Sequence, residues 1–359
     1  MADLSAAGER PADQLPEGRE AAMAAAATDR FQRPMRDLRV SVTDRCNFRC
    51  TYCMPKELFG DRYPFLPKRE LLTFEEIHRL VRLFASLGVR KVRLTGGEPL
   101  LRRNLDELVG MLAAVDGIED IALTTNGLLL HRYGRQLYDA GLRRVNISLD
   151  ALDPDIFGRM NGRGIDPARI LENIEFAVRL GFEVKVNMVV QKGMNDGEII
   201  PMAEYFKNRS ITLRFIEFMD AGNDNGWSFE KVVTKREMLQ KLQQVYELKP
   251  EQKTRYGEVA GYYRYGGSEA RIGFITSVSE TFCSTCTRAR LSSEGKLYTC
   301  LFASDGFDLR EMLRGGASDG EILQAIAGVW RRRADRYSEE RTAYTAQHRK
   351  KIGMSYIGG

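Results

Sequence analysis

The sequence predicts an α/β fold in which six strand–helix units form a partial (βα)6 barrel of the TIM type, with a smaller C-terminal covering domain. From residue 37 onward, short β-branched segments alternate with amphipathic helical segments. Three helical segments end at a glycine that leads directly into a strand, at Gly88, Gly141 and Gly181. An open doubly wound sheet would also contain such units, but polar residues and glycines at the strand ends favour the barrel.

The six predicted strands span residues 38–43, 89–94, 121–125, 145–149, 184–190 and 213–218. The helix after the first strand begins at a capping box formed by Thr73 and Glu76. Its apolar residues recur at helical spacing from Ile77 to Leu87. Consecutive strand–helix units of this kind predict parallel strands, because each helix returns the chain to the start of the next strand.

Changes in composition predict three parts in the chain. Residues 1–32 are rich in alanine and acidic residues and are expected to form a flexible N-terminal extension. Residues 33–225 form the predicted barrel, and residues 226–359 form the predicted C-terminal domain. The apolar run in the extension is too short for a signal peptide, and its acidic residues argue against a transit peptide, so we expect a cytoplasmic location.

Composition argues against several classes of protein and of metal site. The 359 residues carry a net charge of +5, which suits an anionic substrate but does not indicate nucleic acid. The basic residues 331–333 and Arg336 alternate with acidic ones and are expected to lie on a solvated helix face. No apolar run is long enough to cross a membrane. Six cysteines are too few for a disulfide scaffold, and three scattered histidines argue against a histidine-built metal site.

The cysteines fall into two groups of three. Cys46, Cys50 and Cys53 follow the first strand with the spacing C-x3-C-x2-C, and the second group lies in the C-terminal domain, at Cys283, Cys286 and Cys300. Thiolates bind zinc or iron–sulfur clusters, and a structural zinc ion takes four protein ligands. Three thiolates would instead leave one iron of a four-iron cluster open to a small molecule. Structural free cysteines, and zinc at the second group, remain alternatives.

Several runs carry a resemblance to a known family. They are the first cysteine group with Tyr52, Gly96-Gly97-Glu98-Pro99, residues 38–50, 124–127, 214–219 and 282–290, and the terminal Gly358-Gly359. The first two resemble the radical S-adenosylmethionine superfamily. Together, over about residues 33–359, they resemble the GTP 3′,8-cyclase family, known as molybdenum cofactor biosynthesis protein A.

The resemblance implies two 4Fe–4S clusters, one on each cysteine group, and S-adenosylmethionine bound to the first. It implies cofactor contacts from residues at the strand ends, namely Tyr52, Gly96, Gly97, Glu98, Ser148 and Met219. Glycines suit this position because the backbone can approach a ligand closely where no side chain intervenes.

The substrate site cannot be assigned from a phosphate-binding motif, since neither common glycine-rich fingerprint is present. Arg39, Arg93 and Lys185 lie on predicted strands, where a charge either faces a ligand or pairs with a carboxylate. The resemblance implies that GTP is contacted by Arg39, Arg93, Thr124, Lys185, Arg288, Ala289 and Arg290, and that Arg288, Gly358 and Gly359 take part in catalysis.

The implied reaction is hydrogen abstraction from the ribose C3′ of GTP and attack on guanine C8, giving 3′,8-cyclo-7,8-dihydro-GTP. The implied partners are an electron donor and a downstream cyclic pyranopterin monophosphate synthase, and a homodimer is compatible with the sequence. Two other functions remain open. They are another radical S-adenosylmethionine enzyme with an auxiliary cluster, such as a peptide modifier, and a zinc-binding structural module.

Overall fold

A computed structural model describes residues 27–223 and 225–358. These residues form one sheet of twelve strands in the order β12-β11-β10-β1-β2-β3-β4-β5-β6-β9-β8-β7. The strands are β1 (Asp37–Ser41), β2 (Lys91–Thr95), β3 (Asp120–Thr125), β4 (Arg144–Ser148), β5 (Glu183–Val190), β6 (Ile211–Glu217), β7 (Leu248–Pro250), β8 (Ala260–Tyr265), β9 (Arg271–Ile275), β10 (Arg288–Leu291), β11 (Lys296–Tyr298) and β12 (Phe307–Asp308).

Strands β1 to β6 are parallel and adjacent in chain order, which confirms the predicted α/β class and its six strand–helix units. Each predicted strand agrees with the observed one to within two residues at either end. The longer helices are Phe74–Ser86, Leu105–Ala113, Leu130–Asp139, Pro154–Asn161, Pro167–Leu180, Ile199–Lys207, Lys235–Gln243 and Asp319–Arg332. Shorter helices span Leu309–Arg314, Tyr337–Glu340, Ala343–His348 and Met354–Ile357.

The helix after β1 begins as predicted, because Thr73 and Glu76 form a complete capping box. Gly88, Gly141 and Gly181 all adopt the left-handed conformation expected where these helices turn into the next strand. Every α-helix in the described residues is too short or too polar to cross a membrane.

The C-terminal part extends the same sheet at both edges. Strand β10 pairs in parallel with β1 and leads into the antiparallel strands β11 and β12. At the other edge β9 pairs in parallel with β6 and carries the antiparallel strands β8 and β7. The residues after 226 therefore flank the six central strands on both sides within one hydrogen-bonded sheet.

Strand β5 shows how the two faces of the sheet differ. Its cavity-lining residues are Glu183, Lys185, Asn187 and Val189, whereas Val184, Val186, Met188 and Val190 are buried in the apolar core. Successive side chains of a strand point to opposite faces, so one face packs on the helices and the other faces the cavity. Residues of β1 to β6, β9 and β10 all line this one cavity, so the sheet curves around it.

Residues 27–32, which we expected to belong to the flexible extension, pack against the body. Ala27 and Asp29 are buried, and Asp29 forms ion pairs with Arg33 and Arg333. The composition of this segment did not predict the burial, because the partner Arg333 lies 304 residues away in the sequence. The remaining residues of the predicted extension, 1–26, lie outside the described residues.

Candidate active site

A cavity of about 1420 Å³ runs through the curved sheet and brings most of the predicted site residues together. Its lining includes Arg39, Cys46, Cys50, Tyr52, Cys53, Arg93, Gly96, Gly97, Glu98, Thr124, Ser148, Lys185, Met219, Cys283, Cys286, Arg288, Arg290 and Cys300. Both cysteine groups therefore face the same space.

The first cysteine group lies on the loop that follows β1, at the carboxyl ends of the parallel strands. The buried Arg49 organises this loop, since its Nη1 donates to the carbonyls of Cys46 and Phe48 at 2.8 Å. Burial, together with the nearby carboxylate of Glu98, raises the pKa of the Cys46 thiol to about 12. Burial likewise raises the pKa of Cys53 to about 12. Without a bound cation these thiols stay protonated, and a cationic cluster would stabilise them as thiolates.

Two glycines bring the end of β2 against the loop that carries the first cysteine group. A Cβ on Gly96 would lie 2.3 Å from the carbonyl oxygen of Thr43, and one on Gly97 would lie 2.3 Å from that of Arg45. Hydrogen bonds hold the contact, from Gly97 N to Thr43 O at 2.9 Å and from Glu98 N to Arg45 O at 2.8 Å. The glycines are therefore required for this approach of backbone to backbone.

The carboxylate of Glu98 connects the ends of β2 and β3. It accepts hydrogen bonds at 2.8 Å from the hydroxyl of Thr125 and from the backbone N–H of Asn126. Burial raises its pKa to about 7. Glu98 lines the cavity as predicted, but in this structure its carboxylate oxygens bind protein groups.

Tyr52 is positioned by Asp150, a residue that no sequence motif indicated. The Tyr52 hydroxyl donates to Asp150 Oδ2 at 2.8 Å, and Asp150 Oδ1 accepts from the backbone N–H of Val189 at 2.9 Å. Burial raises the pKa of Asp150 to about 6. Ser148 and Met219 lie at the ends of β4 and β6, so these predicted cofactor contacts share one edge of the sheet with the first cysteine group.

The second cysteine group flanks β10 and β11. Cys286 Sγ accepts hydrogen bonds from Arg288 Nη2 at 3.0 Å and from Arg333 Nη2 at 3.1 Å. Burial opposes ionisation of Cys286, but the two guanidinium groups outweigh it and lower its pKa to about 6. Burial and the carboxylate of Asp335 raise the pKa of Cys300 to about 12.

Three arginines lie side by side across β10, β1 and β2. Arg39 is in register with Arg290 on one side and with Arg93 on the other. Like charges opposite one another destabilise a sheet, and burial lowers the pKa of Arg93 to about 9. Among the described residues, neither Arg39 nor Arg93 has a carboxylate within ion-pair distance. Of the two alternatives for strand charges, the carboxylate pair is therefore absent at Arg39 and Arg93 among the described residues, and both side chains line the cavity.

Further polar groups face the cavity from β3 to β6. Lys185 pairs with Glu183 at 2.7 Å, and burial lowers its pKa to about 8. The hydroxyl of Thr124 is buried and has no hydrogen-bond partner among the described residues. Arg214, which was not among the predicted site residues, donates to Asn187 and Asn146 at 2.9 and 2.6 Å. Asn146, Asn187 and Arg214 lie on the same face of the sheet as Thr124 and Lys185. The alternation of side chains along the predicted strands would therefore have identified them.

The C-terminal tail contacts Arg290, one of the three arginines across β10, β1 and β2. Gly358 is buried, its carbonyl accepts a hydrogen bond from Arg290, and a Cβ there would lie 2.2 Å from Thr95 Cγ2. It does not line the cavity, and Gly359 lies outside the described residues. The side chain of Ala289 is buried in the apolar core on the opposite face of β10, so the expected contact with the substrate concerns its backbone and stays a prediction.

The donor sets fit iron–sulfur clusters by their chemistry. All six cysteines are free, and both groups of three thiols border the cavity. In the part of the chain that the structure describes, no three His, Cys, Asp or Glu side chains are arranged to hold a single metal ion. Each group has three thiolate donors, so a four-iron cluster would keep one iron open toward the cavity.

Comparison with known proteins gives two family matches. The radical SAM superfamily matches residues 40–206, and the family described as Molybdenum Cofactor Synthesis C matches residues 211–339. A protein of Staphylococcus epidermidis named GTP 3′,8-cyclase is 60% identical over 334 residues, which are 92% of this chain and 98% of that protein. One of Staphylococcus saprophyticus with the same name is 58% identical, with the same coverage.

Solved structures agree on the fold. SuiB of Streptococcus suis, crystallised with S-adenosylmethionine, aligns with a TM-score of 0.56 over 86% of this chain and 70% of its own. Its sequence is 15% identical, so this likeness concerns the fold alone. Together with the parallel order of β1 to β6, it confirms the predicted α/β class and is consistent with the predicted partial barrel.

Proposed function

Because this chain belongs to the GTP 3′,8-cyclase family of radical S-adenosylmethionine enzymes, we propose that its cavity converts GTP to 3′,8-cyclo-7,8-dihydro-GTP in molybdenum cofactor biosynthesis. One observation supports this most strongly. Both cysteine groups and the arginines of β1 and β2 line a single cavity. In this proposal the radical source, the substrate and its phosphates would share one space, and its volume of about 1420 Å³ is large enough for both S-adenosylmethionine and a nucleotide.

Cys46, Cys50 and Cys53 would hold the first 4Fe–4S cluster, with S-adenosylmethionine beside it. When bound, this pair supplies a 5′-deoxyadenosyl radical. The protein's task is to position the methionine and adenosine groups and to exclude water. Gly96 and Gly97 bring backbone groups to the methionine end, while Tyr52, oriented by Asp150, lies on the adenosine side.

Cys283, Cys286 and Cys300 would hold the second 4Fe–4S cluster, and its iron without a cysteine ligand would be available to the guanine base. The proposal rests on three free thiols at the cavity and on the two guanidinium groups that already stabilise negative charge at Cys286. Arg288 therefore has two roles in this proposal, since the same side chain that bonds to Cys286 also borders the substrate space.

The triphosphate would lie along the row formed by Arg290, Arg39 and Arg93. Arg39 and Arg93 have no carboxylate partner among the described residues, and an anionic ligand would relieve their mutual repulsion. Lys185 adds a third cation, and the hydroxyl of Thr124, unpartnered within the described chain, is available to the ribose or a phosphate. These groups would hold C3′ of the ribose toward the first cluster. They would also keep C8 of the base close enough to C3′ for a bond to form between the two atoms.

Arg290 would be held by the C-terminal tail and Arg288 would meet the substrate radical, with Gly358 and Gly359 acting through these arginines. The further partners in this proposal are an electron donor and a cyclic pyranopterin monophosphate synthase that consumes the product. A second copy of this chain, in a homodimer, is also part of the proposal. A reducing compartment such as the cytoplasm suits six thiols that must remain free.

An anaerobic assay tests the proposal. Protein, reductant, S-adenosylmethionine and GTP are combined, and 5′-deoxyadenosine is measured with and without GTP. We expect about eight irons per chain with matching sulfide, and 5′-deoxyadenosine that depends on GTP. Four irons would refute the second cluster, and formation independent of GTP would refute the substrate site. Zinc in a colourless protein would refute the radical mechanism itself.

A further inference from the structure

The basic stretch 331–333, at the C-terminal end of the helix Asp319–Arg332, is divided between solvent and the protein interior. Arg331 and Arg332 are exposed, as predicted for a solvated face, but Arg333 is only 4% exposed. This corrects the expectation that the whole run lies in solvent. A buried guanidinium is costly unless its donors are used, so its partners indicate what it does.

The Arg333 guanidinium connects the two halves of the second cysteine group. Its Nη1 donates to the carbonyl of Cys286 at 2.8 Å and its Nη2 to Cys286 Sγ at 3.1 Å. Its Nε donates to the carbonyl of Thr299, the residue before Cys300, at 3.0 Å. Cys286 and Cys300 are 14 residues apart in sequence, so a single side chain holds two separate loops together.

Asp29 and Arg33 provide a second connection from the N-terminal segment. The Asp29 carboxylate lies between the two arginines, 2.6 Å from Arg33 Nε and 3.0 Å from Arg333 Nη1. Arg33 Nη1 donates to the carbonyl of Cys283 at 2.6 Å and to that of Asp335 at 3.0 Å. All three charged side chains are buried, and the carboxylate offsets part of the cost of burying two cations.

We propose that Asp29, Arg33 and Arg333 form a buried clamp that assembles the second cysteine group and sets the electrostatic environment of its cluster. Arg333 is a positioning residue, because its hydrogen bonds go to the loops that carry Cys286 and Cys300. This inference rests on the proposed second 4Fe–4S cluster. A cation that bonds to a ligating sulfur favours the reduced cluster, so removal of its charge makes the midpoint potential more negative.

The test compares the full-length variants R333Q, R333K and D29N with R332Q, whose side chain is exposed. The readouts are iron per chain, the rate at which a chelator removes iron, and the electron paramagnetic resonance spectrum of the reduced protein. The midpoint potential of the second cluster is measured in a background in which Cys46, Cys50 and Cys53 are replaced by Ala.

In R333Q we expect the second set of four irons to bind about 10-fold to 100-fold more weakly, with the first set unchanged. The remaining second cluster has a more negative potential and an altered spectrum. R333K keeps the charge, so it restores the potential, but it cannot reach all the carbonyls and stays sensitive to the chelator. D29N also loses iron to the chelator faster than the wild type, by a smaller factor than R333K.

If R333Q equals R332Q in iron retention, spectrum and midpoint potential, the proposed clamp is refuted. If R333Q loses both clusters through misfolding, R333K and D29N decide the matter, since wild-type behaviour in both refutes it. A wild-type chain with only four irons refutes the proposed second cluster, a result distinct from failure of the clamp.

Discussion

Replacement of Gly97 by alanine tests how closely the two loops near the first cysteine group must approach. An added Cβ would lie 2.3 Å from the Arg45 carbonyl oxygen, whereas real Cβ contacts stay above 3.0 Å. One loop must therefore move by about 0.7 Å, and Arg45 directly precedes Cys46. Both groups in the clash belong to the backbone, so no side-chain rotation can relieve it.

We expect G97A to lose about 1–3 kcal/mol of unfolding free energy from overpacking. The catalytic effect is larger, because a displacement near 1 Å in a reacting site costs about 100-fold in rate. Formation of 5′-deoxyadenosine in the presence of GTP measures the rate, and binding of S-adenosylmethionine measures the cofactor site.

The matched control is G110A. Gly110 lies in the helix Leu105–Ala113, and a Cβ there meets nothing within 4 Å. Alanine favours the helix by about 1 kcal/mol, so G110A gains stability and keeps its activity. Equal turnover and cofactor affinity in G97A and G110A would refute the steric argument.

Three further predictions concern the substrate side of the cavity. Deletion of Gly358 and Gly359 abolishes cyclisation while both clusters remain, and normal turnover in the shortened chain would contradict a role for the tail. R93Q raises the KM for GTP about 10-fold to 100-fold, from the loss of a charge-assisted contact worth about 1.5–3 kcal/mol, whereas R143Q, at an exposed position, leaves the KM unchanged. Because burial lowers the pKa of Lys185 to about 8, its positive charge is present below that pH and lost above it. Affinity for GTP therefore falls about tenfold between pH 7 and pH 9, and K185R, which stays charged, removes this dependence.

The strands and the cysteine chemistry were predictable because their causes are local. Alternating apolar residues, the Thr73 capping box and the glycines that end helices all act within a few positions, and the structure confirms them. The two cysteine groups and the strand-end glycines could likewise be found by spacing. Their assignment to cofactors and substrate remains a prediction.

The side chains that position the site could not be predicted in the same way. Asp150 is 98 residues from Tyr52, and Asp29 is 304 residues from Arg333. Burial of Arg333 within a basic run, and of Asp29 within an apparent extension, follows from partners that only the folded chain brings near. Neither the periodicity nor the composition of the sequence indicates such a pairing.

The sequence by itself determined the order of the strand–helix units, the two sets of three thiols and the family to which the chain belongs. The tertiary structure decided that β10 pairs with β1, which places Arg290 beside Arg39 and brings the second cysteine group to the cavity that holds the first. Register and curvature bring distant residues together only once the sheet has formed. That is why the thiols could be counted from the sequence, whereas their shared cavity, and the arginines between them, required the fold.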